Sequence, residues 1–381
     1  MNVGVTRPRP RGDLAEFDLH AWCDGAASVS DRLVRENVAP QVASGYFRCA
    51  PAGAPAASHG SGDVASFFDL ASLTKPMTAL AFEAAGLDRS ASLESFLPEL
   101  RGSRTAGVPL ELLFAHRAGL PAHLPFYEDL EEGRLGAKAV LVAASNARAE
   151  APPEHGPGGH APLYSDLGYI LAGVALARAV GARDAGEAIG ELIAKPLGLG
   201  GSLGTARALR AAGIGFDARA APTEVVAARG GEVRGAVHDE NAWALTRDGG
   251  SGHAGMFGTL GAVLTFARAA LGACLRGAAA DPLGLSGRSS WMVAPRPGGT
   301  LLAGFDGKSA AGSSAGTLLG PRTFGHLGFT GTSFWTDPDA RVGVALLTNR
   351  VHPTRNNAAI RAARPVAHDA LAALAMERRE G

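Results

Sequence analysis

The stretch from Thr332 to Thr348 constrains the fold more than any other. Thr332-Ser-Phe-Trp-Thr336 and Arg341-Val-Gly-Val-Ala-Leu-Leu-Thr348 are rich in β-branched and aromatic residues, and Asp337-Pro-Asp-Ala340 between them is turn chemistry. This predicts an antiparallel hairpin. A lone hairpin is marginal in water, so it needs further strands and a covering layer. The sequence supplies both. Gly45–Cys49 and Ser66–Leu70 read as strands separated by a Pro/Ala/Gly/Ser loop, and Val29–Val42 reads as an amphipathic helix. Helical patterns follow at Pro76–Gly86, Leu110–Phe114, Lys138–Ala147, Asp166–Val180 and Glu187–Ala194. After about residue 220 come short β-prone runs at Val225–Ala228 and Glu232–Val237. A helix at Leu260–Leu275 and a closing helix at Asn356–Glu380, kinked at Pro365, complete the pattern. Strands at both ends with helices inserted between them predict an α+β fold, an antiparallel β-sheet flanked by helices. The expected layout is an N-terminal arm at 1–27 and one domain at 28–381, with a mostly helical subdomain at about 77–220. No internal repeat is visible.

Composition removes several classes of function. The 381 residues carry 36 basic and 36 acidic side chains, which leaves no electrostatic footprint for nucleic acid. The three cysteines, Cys23, Cys49 and Cys274, are odd in number and far apart, as expected of free thiols in a reducing compartment. The first residues show no apolar signal core, and no apolar run is long enough to span a bilayer. These features predict a soluble, cytoplasmic protein.

Chemistry enters at Asp69-Leu-Ala-Ser72-Leu-Thr-Lys75-Pro76. If Ser72 opens a helix, positions i and i+3 share a face and the Lys75 stem runs back to the hydroxyl. A serine hydroxyl needs a neighbour to take its proton, and lysine can serve where arginine cannot. The chain has only four lysines, Lys75, Lys138, Lys195 and Lys308, against many arginines. The bland alternative is an exposed lysine in the first turn of a core helix. Tyr164-Ser165-Asp166 sits at the mouth of a predicted helix. A phenol there relays protons if a nearby cation lowers its pKa; otherwise Ser165 and Asp166 simply cap the helix. Phe324-Gly-His326-Leu-Gly328-Phe329-Thr-Gly331 precedes the hairpin. Its glycines permit close backbone approach to a ligand, or they form a bulge beside a surface histidine.

Taken together, Ser-x-x-Lys, Tyr-Ser-Asp and His-x-Gly in this order resemble the serine β-lactamase and penicillin-binding-protein superfamily, which uses Ser-x-x-Lys, Tyr-x-Asn and Lys-Thr-Gly. Within it the chain is most similar to the class C β-lactamases and their esterase and D-aminopeptidase relatives. Leu112–Pro121, Gly252–Phe257 and Leu347–Pro353 add to the resemblance, which runs from about residue 66 onward. It implies Ser72 as the acylated nucleophile, Lys75 as its proton partner, and Tyr164 as activator of Ser72 or of the deacylating water. It implies that His326 and Gly328 line the substrate strand and that the Ser72 and Phe329 N–H groups form an oxyanion hole. Two departures alter these expectations. Asp166 stands where the family has asparagine, which favours a charged Lys75 and removes an amide donor to substrate. His326 replaces a permanent cation, so recognition of a substrate carboxylate becomes weaker and pH-dependent. Both shift the expectation from efficient β-lactam hydrolysis to cleavage of an ester, small amide or peptide, with no metal or cofactor. A non-catalytic binder and a D-Ala-type peptidase are the competing readings.

Other motifs are decoys. Gly200–Gly204 and Gly312–Gly316 match Gly-x-Ser-x-Gly without a strand and helix around them. Gly250–Gly255 matches a dinucleotide fingerprint with no preceding strand. The pairs His155/His160 and His116/His123 could be metal ligands, but their spacing reads as loop histidines; His238-Asp-Glu-Asn241 could face the cleft and reads as a structured turn.

Overall fold

A computed structural model describes residues 29–49, 57–149, 159–277 and 279–377; the expected arm at 1–27 and Cys23 lie outside them. In chain order the elements used below are α1 (Val29–Arg35), β1 (Val42–Arg48), β2 (Ala57–Gly62), β3 (Phe68–Asp69), α2 (Thr74–Ala84) and α3 (Asp166–Ala179). Then come β4 (Leu203–Gly204), α4 (Glu240–Thr246), β5 (Phe257–Gly258), α5 (Leu260–Cys274) and β6 (Asp306–Gly307). Last are β7 (Phe324–Leu327), β8 (Ser333–Asp337), β9 (Val342–Thr348) and α6 (Ile360–Met376).

The architecture is α+β, as the strand and helix patterns predict. The main sheet is antiparallel, with order β2-β1-β9-β8-β7-β6. The hairpin β8–β9 forms as expected, pairing Trp335 with Val344, and β1 closes against β9 with Val42 opposite Thr348. Side chains alternate along β9 because successive residues of a strand point to opposite faces. Val342, Val344 and Leu346 join Trp335, α1 and α6 in one core, whereas Ala345 and Leu347 join Phe334 and α5 in the other. The sheet is therefore covered on both faces.

Some expectations need correction. The helix predicted over Val29–Val42 stops at Arg35. Asn37 turns left-handed at φ 55°, and the Val38 N–H returns to the Leu33 carbonyl at 2.9 Å, a standard helix stop that frees the chain to enter β1. The supposed loop before Ser66 contains a strand, β2. Its Ala-Ser-His-Gly-Ser-Gly sequence lacks β propensity, but Gly60 and Gly45 lie under Leu260, where a Cβ on either would press on Leu260 Cδ2 at 2.7 or 3.1 Å. Close passage of α5 selects these residues, overriding intrinsic preference. The strand expected over Ser66–Leu70 shortens to β3, which pairs with β5, and β5 pairs with β4, to make a small second sheet beside the first turn of α2. The closing helix runs Ile360–Met376 with Pro365 inside it. No helix among the described residues is long and apolar enough to cross a membrane.

Candidate active site

Ser72 sits on a tight turn and not in the α-helix itself. Ala71–Leu73 is a single 3-10 turn that runs into α2. Ala71 adopts φ 46°, a left-handed conformation that costs an alanine roughly 1–2 kcal/mol. The buried carboxylate of Asp69 holds it there, with Oδ1 accepting the Ala71 N–H at 2.8 Å and Oδ2 the His238 N–H at 2.7 Å. Burial pushes the Asp69 pKa up, against these hydrogen bonds. Thr74 Oγ1 donates to the Ala71 carbonyl at 2.7 Å. The i, i+3 expectation holds: Lys75 is fully buried and its Nζ donates to Ser72 Oγ at 2.9 Å.

Lys75 Nζ also donates to Asp166 Oδ1 at 2.6 Å and to the His253 carbonyl at 3.4 Å. Burial alone pulls the Lys75 pKa down, but the Asp166 carboxylate and Tyr164 outweigh it and hold the ammonium above its ordinary range. Burial likewise favours a neutral Asp166, and the Lys75 charge overrides it, driving that carboxyl well below the usual range. The residue that departs from the family pattern thus locks its neighbour in the charged form. Ser165 caps α3 by accepting the Gly168 N–H at 3.3 Å, which fixes Asp166 and Tyr164 on either side of the helix mouth.

Tyr164 places its ring 4.7 Å from Lys75 Nζ and stacks on His116, 4.6 Å between centroids. Burial raises the phenol pKa, and the attractions to Lys75 and Ser72 only partly offset it. The condition that a nearby cation lowers this pKa is therefore not met: the cation is present, but desolvation is the larger effect. His116 accepts the Ser165 N–H on Nδ1 at 2.9 Å, and burial keeps the ring neutral.

The third segment approaches from the sheet. A Cβ on Gly328 would meet Thr332 Oγ1 at 2.0 Å and the Leu70 carbonyl at 2.8 Å, so only glycine lets this strand lie against the Ser72 turn. Thr330 Oγ1 donates to the Asp69 carbonyl at 2.7 Å and Thr332 Oγ1 to that of Leu70 at 3.1 Å, which stitches the two segments together. Among the described residues, neither the Ser72 N–H nor the Phe329 N–H donates to a protein acceptor. His326 is buried, with Nδ1–H donating to the Leu327 carbonyl at 2.9 Å. Burial and the Lys75 charge pull its pKa down to about 3. The ring is therefore neutral across the physiological range, which removes the pH-dependent cation expected from the sequence.

Ser72, Tyr164, Asp166, Gly328 and Phe329 line a cleft of about 490 Å³, whereas the buried Lys75 and His326 are not among its lining residues. Of its rim, the sequence marks only His238–Asn241 as a stretch that could face the cleft. His238, Asp239 and Glu240, read as a turn, form one wall, with Asp239 capping α4; Arg350, Arg355, Arg361 and Arg364 form another. Asp239 accepts from His253 Nε2 at 2.8 Å, and Arg355 bridges Glu224 and Glu240 at 2.5 Å each. The density of arginine just after the last strand was the available signal. The decoy serines Ser202 and Ser314 are not among the cleft residues. No cluster suited to a metal ion occurs among the described residues.

The fold is that of the β-lactamase and transpeptidase group. One solved neighbour is the β-lactamase/D-alanine carboxypeptidase of Pseudomonas syringae, with TM-score 0.63 and 17% identity, covering 90% of this chain and 96% of that one. Another is a mutant simvastatin synthase of Aspergillus terreus, with TM-score 0.64 and 17% identity, covering 91% and 96%. The chain belongs to the Beta-lactamase family, whose model matches residues 31–368. Among curated relatives, the "Putative D-alanyl-D-alanine carboxypeptidase" of Escherichia coli O157:H7 is 27% identical over 251 residues, 63% of this chain and 56% of that protein. The chain thus spans about half the length of the curated relatives it matches.

Proposed function

We propose that this protein is a serine hydrolase that works through an acyl-enzyme on an ester, small amide or peptide. The observation that carries the reading is the 2.9 Å bond from Lys75 Nζ to Ser72 Oγ in a cleft that also offers two unspent N–H groups. Ser72 Oγ attacks the acyl carbonyl carbon, forming a C–O bond while the carbonyl oxygen takes negative charge against the Ser72 and Phe329 N–H groups. The serine proton passes to the Lys75–Tyr164 pair, which returns it to the leaving alcohol or amine as the old bond breaks. Water then adds to the acyl carbon, its proton taken by the same pair, and Ser72 departs with a proton. Because the resting pair is ammonium and neutral phenol, the basic form is a minority species and the rate rises with pH through neutrality. Asp166, Gly328 and Phe329 line the substrate side, with His326 buried on the strand that leads to Gly328.

The neutral His326 favours uncharged acyl groups over the carboxylate-bearing substrates that a lysine would attract. The names of the relatives keep a D-alanyl peptide substrate as the alternative. The charge-locked Lys75 favours a second reading, a binder that keeps the cleft without turnover. A p-nitrophenyl ester panel, with labelling by a fluorescent penicillin and a fluorophosphonate, tests all three. The expected result is a burst and a covalent adduct, both lost in Ser72→Ala. Labelling that persists in that variant assigns the nucleophile elsewhere, and a wild-type protein with no serine-dependent burst is a binder.

A further inference from the structure

We infer that Arg350 is a positioning residue of the oxyanion hole, holding the Gly328–Gly331 segment so that the Phe329 N–H faces Ser72; this rests on the hydrolase reading above. Arg350 lines the cleft, where an arginine suggests a receptor for an anionic substrate. Four of its five N–H donors are already committed to backbone. Nε and Nη2 both donate to the Phe329 carbonyl, at 2.8 and 2.6 Å, and Nη1 donates to the Arg355 and Asn357 carbonyls at 2.8 and 3.1 Å. The guanidinium carbon lies 4.6 Å from the centre of the Phe329 ring, so the same group grips that residue through its main chain and its side chain. The Arg350 backbone N–H reaches the Thr330 carbonyl at 3.1 Å.

The gripped segment needs such a fastener. It contains Gly328 and Gly331, the latter at φ 102°, and glycines leave a chain the widest choice of conformations. Both are required by close approach: a Cβ on Gly331 would meet Arg350 Cγ at 2.7 Å and Thr348 Oγ1 nearer still. The chain has therefore given up local stiffness to let Arg350 lie across it. A second arginine holds the adjoining peptide plane. The Gly328 carbonyl, whose peptide ends in the Phe329 N–H, accepts from the Gly331 N–H at 3.1 Å and from Arg364 Nη2 at 3.4 Å. With both flanking carbonyls held, that N–H has one direction left, and it is the donor without a protein acceptor. A guanidinium fork suits this task because its planar donors fix an angle as well as a distance, which an ammonium does not.

The test compares wild type with Arg350→Met and Arg350→Lys, using a cinnamoyl ester carrying ¹³C at its carbonyl. Acylation of Ser72 is timed, cinnamate affinity is measured separately, and the carbonyl band of the acyl-enzyme is read by isotope-edited infrared spectroscopy. Arg350→Met is expected to slow acylation roughly 10–100-fold, the penalty of about 1 Å of misplacement at a reacting centre. Cinnamate affinity stays within about twofold, and the carbonyl band moves to higher wavenumber and broadens as its hydrogen bonds weaken. Arg350→Lys falls between the two and carries the test if the methionine variant does not fold. A folded variant whose band matches wild type overturns the proposal, whatever its rate. A wild-type protein that forms no Ser72 adduct overturns the hydrolase reading, and this one with it.

Discussion

Replacing Asp166 with asparagine removes one negative charge while keeping an oxygen that can accept from Lys75. At 2.6 Å and an effective dielectric near 20, the Coulomb attraction between the pair is about 6 kcal/mol. Part of that is recovered by polarisation and by water, since Asp166 keeps some exposure while Lys75 has none. A shift of about 1–3 units, typical of a single neighbouring charge, is the working expectation for the kinetic pKa. The direction is downward. Without the carboxylate, burial becomes the controlling influence on Lys75 and favours the free amine; loss of the same charge also eases ionisation of Tyr164. The assay is the acylation burst with p-nitrophenyl acetate between pH 5 and 10. The Asp166→Asn limb should rise at lower pH than wild type, raising the rate at pH 7 by about 10-fold or more. Stability moves the other way. In wild type, Asp166 stabilises above the unfolded carboxylate value of about 3.9 and loses this as pH falls through its depressed folded pKa. Lys75 contributes below its unfolded value of about 10.4 and loses this as pH rises through its elevated one. Between them the pair contributes fully. Breaking it should cost about 3–5 kcal/mol by urea unfolding at pH 6, and less at pH 9, where the lone amine sheds its proton. A variant profile that overlays the wild-type curve, or moves to higher pH, would refute the charge-lock argument.

Two further outcomes follow from geometry described above. Gly328→Ala drives a Cβ into Thr332 Oγ1 and the Leu70 carbonyl, so the strand must back away from Ser72 by about 1 Å; ester acylation should fall on the order of 100-fold and stability by about 1–3 kcal/mol, and wild-type burst kinetics would contradict the contact. His326, neutral above about pH 4, should show a flat imidazole NMR shift from pH 5 to 8 and add no inflection to the rate profile; a titration near 6.5 would mean that the ring is not enclosed as described.

The legible parts were those in which one short segment fixes its own geometry. Ser72 and Lys75 are three residues apart, and any right-handed turn brings them together, so the 3-10 form of that turn did not matter. The hairpin β8–β9 was equally plain, because its turn and both of its strands are local. What escaped depends on neighbours. Ala57–Gly62 is a strand because β1 and Leu260 leave room for nothing larger than glycine at residue 60. Whether the cation beside Tyr164 would lower its pKa could not be read either; burial raises it instead, and a sequence lists charges and not depth. The Arg350 grip is invisible in the string, because its partner is a main-chain oxygen with no letter of its own.

The threonine ties from Thr330 and Thr332 to the carbonyls of Asp69 and Leu70 join places about 260 residues apart. During synthesis Ser72, Lys75 and Tyr164 are made well before Thr330 and Thr332, which tie the facing segment to the serine turn. A chain cut short between Tyr164 and Gly328 therefore lacks the segment that lies against the Ser72 turn.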